Sequence, residues 1–178
     1  MSILAKLAPD QIADSILDLD PAALRAEGVR AALLDIDNTL AAWNSLEVRD
    51  DIRQWLTAAQ EHLTLCLLSN SSKTGRMGKL RAMLGIEVIQ GFPVGKPWPV
   101  AYRRALAVTG TSPAETVMIG DQLLTDVFGA NLQGLRTILV RPLGTNEFIG
   151  TKLTRVIESL TMALLRRRGL LPATPDSR

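Results

Sequence analysis

The 178-residue sequence is poor in cysteine, in histidine and in long apolar runs, and each shortage excludes a class of protein. Cys66 is the only cysteine, so no disulfide can form within the chain and no thiolate metal site is indicated. His62 is the only histidine, and we interpret it as a surface or packing residue. No apolar run approaches the roughly 20 residues that cross a bilayer, and the N-terminus lacks a signal-peptide pattern. We therefore expect a reducing, cytoplasmic setting.

The net charge is small but unevenly distributed. Twenty basic and eighteen acidic residues give +2, which argues against a chain that binds nucleic acid through a dense positive field. From Thr151 onward there are six basic residues and two acidic ones, so this tail carries +4 and the remainder carries −2. Apolar residues recur at helical spacing from Ile149 to Leu164, and Arg166 to Arg168 follow them. This basic amphipathic helix predicts either peripheral binding to an anionic membrane surface, on its inner face, or packing on the sheet.

Short runs of Leu, Ile and Val alternate with segments of helical period about five times. The predicted strands are Arg30 to Ile36, Leu63 to Leu68, Ile86 to Ile89, Thr116 to Ile119 and Arg136 to Val140. The predicted helices between them are Leu46 to Gln60, Lys73 to Leu84, Pro99 to Val108 and Asp126 to Gln133. This alternation predicts an α/β fold, a Rossmann-like three-layer α/β/α sandwich with a mainly parallel sheet of about five strands.

The chain is long and apolar enough for one domain with a proper core. Within it we predict an N-terminal helical segment at 1–28, in which Asp20 caps a helix that begins at Pro21. The α/β core is predicted at 29–145, and the amphipathic basic helix and tail at 146–178. No composition shift or repeat divides the chain further.

Polar side chains follow each of the first four predicted strands, where parallel α/β sheets place their sites. They are Asp35, Asp37 and Thr39 after the first, Ser69 and Asn70 after the second, Lys96 after the third, and Asp121 and Asp126 after the fourth. We expect these groups to converge in one crevice at the carboxyl ends of the strands.

The residue types in this crevice favour phosphoryl transfer over acyl transfer. Carboxylates are the hard oxygen ligands that Mg²⁺ prefers, and the ion lets a carboxylate approach an anionic phosphate. One Asp can then act as a nucleophile and a second as a general acid and base, which typically contributes 10² to 10⁴-fold. A lysine and a serine hydroxyl can stabilise the charge on the transferring group.

The four stretches, in their order along the chain, resemble the four motifs of the haloacid dehalogenase superfamily. The matching residues are Asp35-Ile-Asp37-Asn-Thr39, Ser69-Asn70, Lys96-Pro97 and Gly120-Asp121 to Asp126. The resemblance covers about Arg30 to Val140, and the second Asp of the first motif is typical of the phosphatases of that superfamily.

The resemblance implies a role for each of these residues. Asp35 is implied as the nucleophile, Asp37 as the acid and base, and Lys96 as the stabiliser of the transferring group. Thr39, Ser69, Asn70 and Lys96 are the expected substrate-binding residues. The implied metal ligands for Mg²⁺ are Asp35, Asp37 through its carbonyl, and Asp121. Asp126 is expected to support the site.

The sequence around the motifs, with Trp43 after the first motif and Gly129 to Asn131 after the fourth, is similar to the YqeG-like branch of subfamily IIIA. That branch includes phosphatidylglycerophosphate phosphatases, so the resemblance implies a role in phospholipid biosynthesis. Twenty-nine residues separate Thr39 from Ser69, and 26 separate Ser69 from Lys96. Each of these intervals is long enough only for one helix and one strand of the core. We therefore expect no inserted cap domain and an open site.

Two other functions stay open from the sequence. The same chemistry suits a soluble sugar phosphate, a nucleotide or a phosphoprotein. A non-catalytic module that accepts a phosphoryl group also uses Asp, Ser or Thr, and Lys at strand ends, but it needs a persistent phosphoaspartate, and Asp37 argues against it. The sequence leaves the oligomeric state open.

Overall fold

The computed structural model describes residues 3–91, 94–144 and 149–172, with the stretch 149–156 described as backbone only. Six parallel strands form one sheet in the order β1-β6-β5-β2-β3-β4. Their bounds are β1 Gln11–Ala13, β2 Ala31–Leu34, β3 Thr64–Ser69, β4 Glu87–Gln90, β5 Thr116–Gly120 and β6 Arg136–Val140. The predicted Rossmann-like α/β class is confirmed.

The sheet has six strands where the sequence pattern predicted about five. The additional strand is β1, in the N-terminal segment, which pairs in parallel with β6 so that Ile12 lies opposite Leu139. Three residues are too few to show the alternation by which a strand is recognised in a sequence. The strand is therefore recognised by its pairing with β6 and not by its own sequence.

Helices cover both faces of the sheet. They are α1 Pro21–Ala26, α2 Asp50–Gln60, α3 Thr74–Leu84, α4 Pro99–Thr109, α5 Gly129–Gln133 and α6 Ile149–Arg167. Side chains of α1, α2 and α3 pack with Leu34 and Leu67 on one face. Those of α4 and α5 pack with Leu33 and Leu68 on the other. Neighbouring strand residues point to opposite faces, so β2 is buried on both sides, which explains its uninterrupted apolar run.

Two helices differ from the sequence prediction. The helix predicted from Leu46 begins at Asp50, because Val48 instead pairs with Ala41 in an isolated bridge. The helix predicted from Asp126 to Gln133 is preceded by a π-helical segment, Leu123–Phe128, that runs into α5. The N-terminus of α1 matches the prediction, since the Asp20 side chain accepts the Ala22 N–H at 2.8 Å.

The order of the strands puts the switch point between β2 and β5. The chain leaves β2 toward β3 on one side and leaves β5 toward β6 on the other, so a crevice opens at their carboxyl ends. Between β2 and β3 the chain forms a loop and α2, and between β3 and β4 it forms α3. In the described part of the chain, no helix has both the length and the apolar character needed to span a bilayer.

Candidate active site

The loop after β2 carries three of the predicted site residues, Asp35, Asp37 and Thr39. The Asp35 N–H still donates to the Ile119 carbonyl of β5 at 2.9 Å, so Asp35 sits at the rim of the sheet. The chain then turns sharply, with the Ile36 carbonyl accepting the N–H groups of Leu40 and Ala41 at 3.0 Å each. Asn38 has φ 65°, a left-handed conformation that asparagine tolerates better than most residues. The turn brings Asp35 and Asp37 to the same crevice.

Lys96 reaches this crevice from the loop after β4, and Asn70 fixes its backbone. The Asn70 amide nitrogen donates to the Lys96 carbonyl at 2.8 Å, and its amide oxygen accepts the Lys96 N–H at 2.7 Å. Gly91 and Gly95 lie so close to the Asn70 side chain that a Cβ at either position would crowd it. Asn70 was predicted to bind substrate, and in the structure both ends of its amide hold Lys96.

The Lys96 ammonium is buried between two carboxylates. It donates to Asp35 Oδ1 and, at 2.7 Å, to Asp126 Oδ1. Burial alone would lower the pKa of Lys96, but Asp126 and Asp35 outweigh it and hold that pKa above its ordinary value. Burial raises the pKa of the Asp35 carboxyl well above its usual range; Lys96 opposes this rise, and Asp126 and Asp121 add to it.

Three buried carboxylates, those of Asp35, Asp121 and Asp126, form a candidate metal site. They offer ligand atoms within 4.8 Å of one another. Asp35 Oδ2 is buried and accepts no hydrogen bond from any residue that the structure describes. A buried carboxylate oxygen without a donor is costly, and a hard divalent cation would relieve that cost. The donor set therefore fits a magnesium ion.

Asp37 has a different environment from these three. Its carboxylate lies against the guanidinium of Arg76 on α3, with Arg76 Nη1 donating to Oδ2 at 3.0 Å and Nη2 at 2.9 Å from Oδ1. The Asn44 N–H also donates to Oδ1, at 2.7 Å. The side chain of Asp37 is 20% exposed, against 9% for Asp35. Asp37 is therefore more accessible than Asp35 from the open side of the crevice.

A cavity of about 500 Å³ opens in front of these groups. Ser69 lies on its wall, where its Oγ accepts the Ser71 N–H at 3.1 Å and its own hydroxyl hydrogen stays available. Trp43 stands at the cavity with 45% of its surface exposed. The lining residues are Asp35, Asp37, Asn38, Trp43, Asn44, Ser69, Asn70, Ser71, Ser72, Lys73, Arg76, Lys96, Gln122 and Thr125.

The segment that carries Asp126 is held from two directions. The Asp126 carboxylate accepts the Gln122 N–H at 3.0 Å, and it lies so close to Gly120 that no side chain fits there. From the C-terminal helix α6, the buried carboxylate of Glu158 accepts the N–H of Leu123 at 2.7 Å. Leu165 of α6 is fully buried in the same region. The described part of α6 thus packs on the core beside the crevice.

Comparison with known proteins agrees with this geometry. Residues 93–148 match a family model described as HAD-hydrolase-like. The probable phosphatase YqeG of Bacillus subtilis is 32% identical over 162 residues, which cover 90% of this chain and 92% of that protein. The chain belongs to the YqeG family of haloacid dehalogenase-like phosphatases.

Two further matches place this phosphatase among its relatives. The chloroplastic phosphatidylglycerophosphate phosphatase 1 of Chlamydomonas reinhardtii is 31% identical over 174 residues, covering 92% of this chain and 64% of that protein. The crystal structure of a HAD phosphatase from Thermococcus onnurineus superposes with a TM-score of 0.53 at 17% identity, over 72% of this chain and 98% of that one. The second match shows the fold.

In this phosphatase the structure brings most of the predicted site residues together. Asp35, Asp37, Ser69, Asn70 and Lys96 line the cavity. Asp121 and Asp126 join the carboxylate cluster behind it. Thr39 is buried and does not line the cavity in the described residues, so its substrate contact stays a prediction.

Arg76 and Glu158 are the residues that the sequence analysis missed. Both are charged and only 7% and 6% exposed. Arg76 lies four positions before the buried Leu80 on α3, and Glu158 seven positions before the buried Leu165 on α6. A charge at a core-facing helical position is the signal that could have identified each of them.

Proposed function

We propose that this phosphatase is a Mg²⁺-dependent phosphomonoesterase that forms a phosphoaspartate on Asp35. The observation that carries the proposal is the setting of Asp35, which lines the switch-point crevice beside a buried lysine and two further carboxylates. A nucleophile for phosphoryl transfer needs compensation of the charge that gathers around it. Lys96 supplies part of that compensation.

The residues that would hold the metal are Asp35, Asp121 and the backbone carbonyl of Asp37, with Asp126 beside them. When bound, Mg²⁺ neutralises the phosphoryl oxygens and orients the phosphate. The buried Asp35 Oδ2, which accepts no hydrogen bond from the described residues, is the atom that supports this assignment.

In the first step, the Asp35 carboxylate attacks phosphorus and the bond from phosphorus to the ester oxygen breaks. Asp37 gives its proton to that oxygen, so an alcohol leaves. Lys96 holds Asp35 in place, and the Ser69 hydroxyl donates to a phosphoryl oxygen. In the second step, Asp37 takes a proton from a water molecule that attacks the phosphoaspartate, and the Asp35–phosphorus link breaks to release phosphate.

Phosphatidylglycerophosphate is the substrate that we propose, with phosphatidylglycerol as the product. The similarity to a phosphatidylglycerophosphate phosphatase over most of this chain supports it. So does the crevice, because the connections between β2, β3 and β4 contain one helix each and leave the 500 Å³ cavity accessible to a bulky ester. A lipid headgroup presented at a surface would fit such a site.

Part of α6 supports contact with an anionic membrane. Ile157, Leu160 and Leu164 are exposed along one side of this helix, and Arg166 to Arg168 are exposed at its end. Exposed apolar residues beside arginines suit the surface of an anionic bilayer. The same helix packs on the core through Glu158 and Leu165, so both roles predicted from the sequence are compatible.

The decisive experiment measures phosphate release by the purified protein from phosphatidylglycerophosphate in mixed micelles and from a panel of soluble phosphate esters. Magnesium-dependent release from the lipid, at a kcat/KM above that of every soluble ester, is the expected result. Asp35→Asn is the control, because it keeps the shape of the site and removes the nucleophile. A higher kcat/KM for a sugar phosphate, nucleotide or phosphopeptide would reject the lipid as the substrate in favour of that ester. Turnover retained in Asp35→Asn would reject the mechanism.

Liposome flotation tests the membrane contact separately. Truncation after residue 150 would remove Glu158 and Leu165 from the core, so substitution of the exposed Leu160 by Glu is the sharper change. We expect this variant to float less with anionic vesicles while it hydrolyses a soluble ester normally. Flotation equal to that of the unchanged protein would reject the membrane role.

A further inference from the structure

We infer that Arg76 is a positioning residue of the phosphatase reaction, which fixes the orientation of the Asp37 carboxylate at the cavity. The inference rests on the proposed function, in which Asp37 is the general acid and base. It adds a residue outside the four motifs.

Both oxygens of the Asp37 carboxylate are held by neighbouring donors. Oδ1 accepts the Asn44 N–H at 2.7 Å and lies 2.9 Å from Arg76 Nη2. Oδ2 accepts Arg76 Nη1 at 3.0 Å. A carboxylate oxygen has two lone-pair positions, and each oxygen of Asp37 accepts one hydrogen bond from the described residues, so the carboxylate keeps capacity for substrate or water. This remaining capacity belongs to a side chain that is 20% exposed and lines the cavity.

Arg76 is itself rigidly held, which is what a positioning residue requires. Its Nε and Nη2 donate to the Ser45 carbonyl at 3.0 and 2.9 Å, and its side chain is 7% exposed. One planar guanidinium thus joins α3, the Asp37 carboxylate and the segment around Ser45. A lysine ammonium is a point charge without this fork, so it could not keep the same set of contacts.

Another arginine of the same helix shows what an ordinary ion pair looks like here. Arg81 pairs with Glu87 at 2.5 Å, but the two side chains are 60% and 51% exposed. Pairs of that kind contribute little to stability and orient nothing. Because Arg76 is buried and its partner faces the cavity, its fixed geometry has a consequence for the reaction that Arg81 cannot have. Arg81→Lys is therefore a matched control for Arg76→Lys.

The test compares phenyl phosphate with p-nitrophenyl phosphate, two esters of similar shape. Phenoxide is the poorer leaving group and depends more on proton donation, and kcat/KM reports the step in which that group leaves. We expect Arg76→Lys to lower kcat/KM for phenyl phosphate roughly 10- to 100-fold, which is part of the contribution of a general acid, and to lower it much less for p-nitrophenyl phosphate. Arg81→Lys should leave both values unchanged.

A double-mutant cycle separates positioning from a general loss of structure. If Arg76 acts through Asp37, then Arg76→Lys combined with Asp37→Asn should be no slower than Asp37→Asn alone. Equal losses on both esters, or losses that multiply in the double variant, would overturn the inference. Loss of turnover in Arg76→Ala that low concentrations of guanidinium restore, and urea does not, would support it even if Arg76→Lys folds poorly.

Failure of the proposed function would look different. In that case Asp37→Asn itself would leave the ratio between the two esters at its original value, or Asp35→Asn would keep turnover. If instead Asp37→Asn changes that ratio and Arg76→Lys does not, then the proposed chemistry stands and only the role of Arg76 is rejected.

Discussion

Lys96 and Arg76 both neutralise aspartates of the same crevice, yet they are built into the protein in different ways. Lys96 comes from a loop, its backbone is fixed by Asn70, and its ammonium is enclosed with two carboxylates that are 9% and 1% exposed. Arg76 comes from a helix, and its partner Asp37 is 20% exposed. Both cations are buried, but Lys96 compensates charge within the fold, whereas Arg76 orients a carboxylate that solvent and substrate still reach.

The largest effect is expected from Lys96→Met, which breaks the buried side of this comparison. Removal of one partner from a buried ion pair leaves an uncompensated charge and typically costs about 3–5 kcal/mol. We expect the free energy of unfolding, measured in urea, to fall by about that amount, and phosphatase turnover to fall to background. Arg76→Met should lower the unfolding free energy less, by roughly 1–2 kcal/mol, because its partner is partly solvated. Equal losses in the two variants would contradict the distinction.

Gly120→Ala tests whether the buried cluster tolerates any displacement. A Cβ at Gly120 would overlap the carboxyl group of Asp126, which holds Lys96. Overpacking of this kind costs roughly 1–3 kcal/mol, and movement of Asp126 should also lower turnover. Gly78→Ala is the control, because nothing lies within 4 Å of a Cβ there and α3 should gain roughly 0.5–1 kcal/mol. The measurements are the midpoint of urea unfolding and the turnover of a soluble phosphate ester. If both were unchanged in Gly120→Ala, Asp126 could move without consequence.

Glu158→Ala examines the support that α6 gives to the same segment. Loss of the acceptor leaves the Leu123 N–H buried without its partner, which costs roughly 1–3 kcal/mol. We expect a lower unfolding free energy and a moderate loss of turnover, measured with a soluble ester. Glu158→Gln retains an acceptor oxygen and should lie closer to the unchanged protein. If Glu158→Ala behaved like the unchanged protein in both assays, the contact would be dispensable.

The smallest expected effect is a change in the rate at which a thiol reagent labels Cys66. This rate reports on the core beneath Ser69. Burial raises the pKa of its thiol to about 12, so the native protein holds it protonated at mildly alkaline pH. In the unfolded chain the pKa returns to about 8.5, and the thiolate then reacts. We expect a thiol reagent to label the native protein at the rate of global unfolding, and labelling should accelerate in Lys96→Met. Rapid labelling of the native protein would contradict this burial.

The sequence predicted the parts of this molecule whose signals are local. The central strands could be placed because each is a buried apolar run bounded by polar residues, and Asp35, Ser69, Lys96 and Asp121 could be placed because they follow such runs. The sheet geometry then required them to meet.

The parts that escaped prediction depend on contacts between distant segments. Strand β1 exists through its pairing with β6. Arg76 matters because it reaches Asp37, 39 positions earlier, and Glu158 because it reaches Leu123, 35 positions earlier. The π-helical geometry of Leu123–Phe128 was also missed, because the sequence there suits an ordinary helix as well.

The pairing of β1 with β6 has a consequence for the order in which the chain is assembled on the ribosome. Gln11 leaves the exit tunnel long before Ile138, the residue beside it in the sheet. During that interval β1 has no neighbour, and the edge of β5 that β6 will cover stays open. Because β6 and Glu158 follow all the other strands in the sequence, this phosphatase completes both its sheet and its crevice only after Glu158 has left the ribosome.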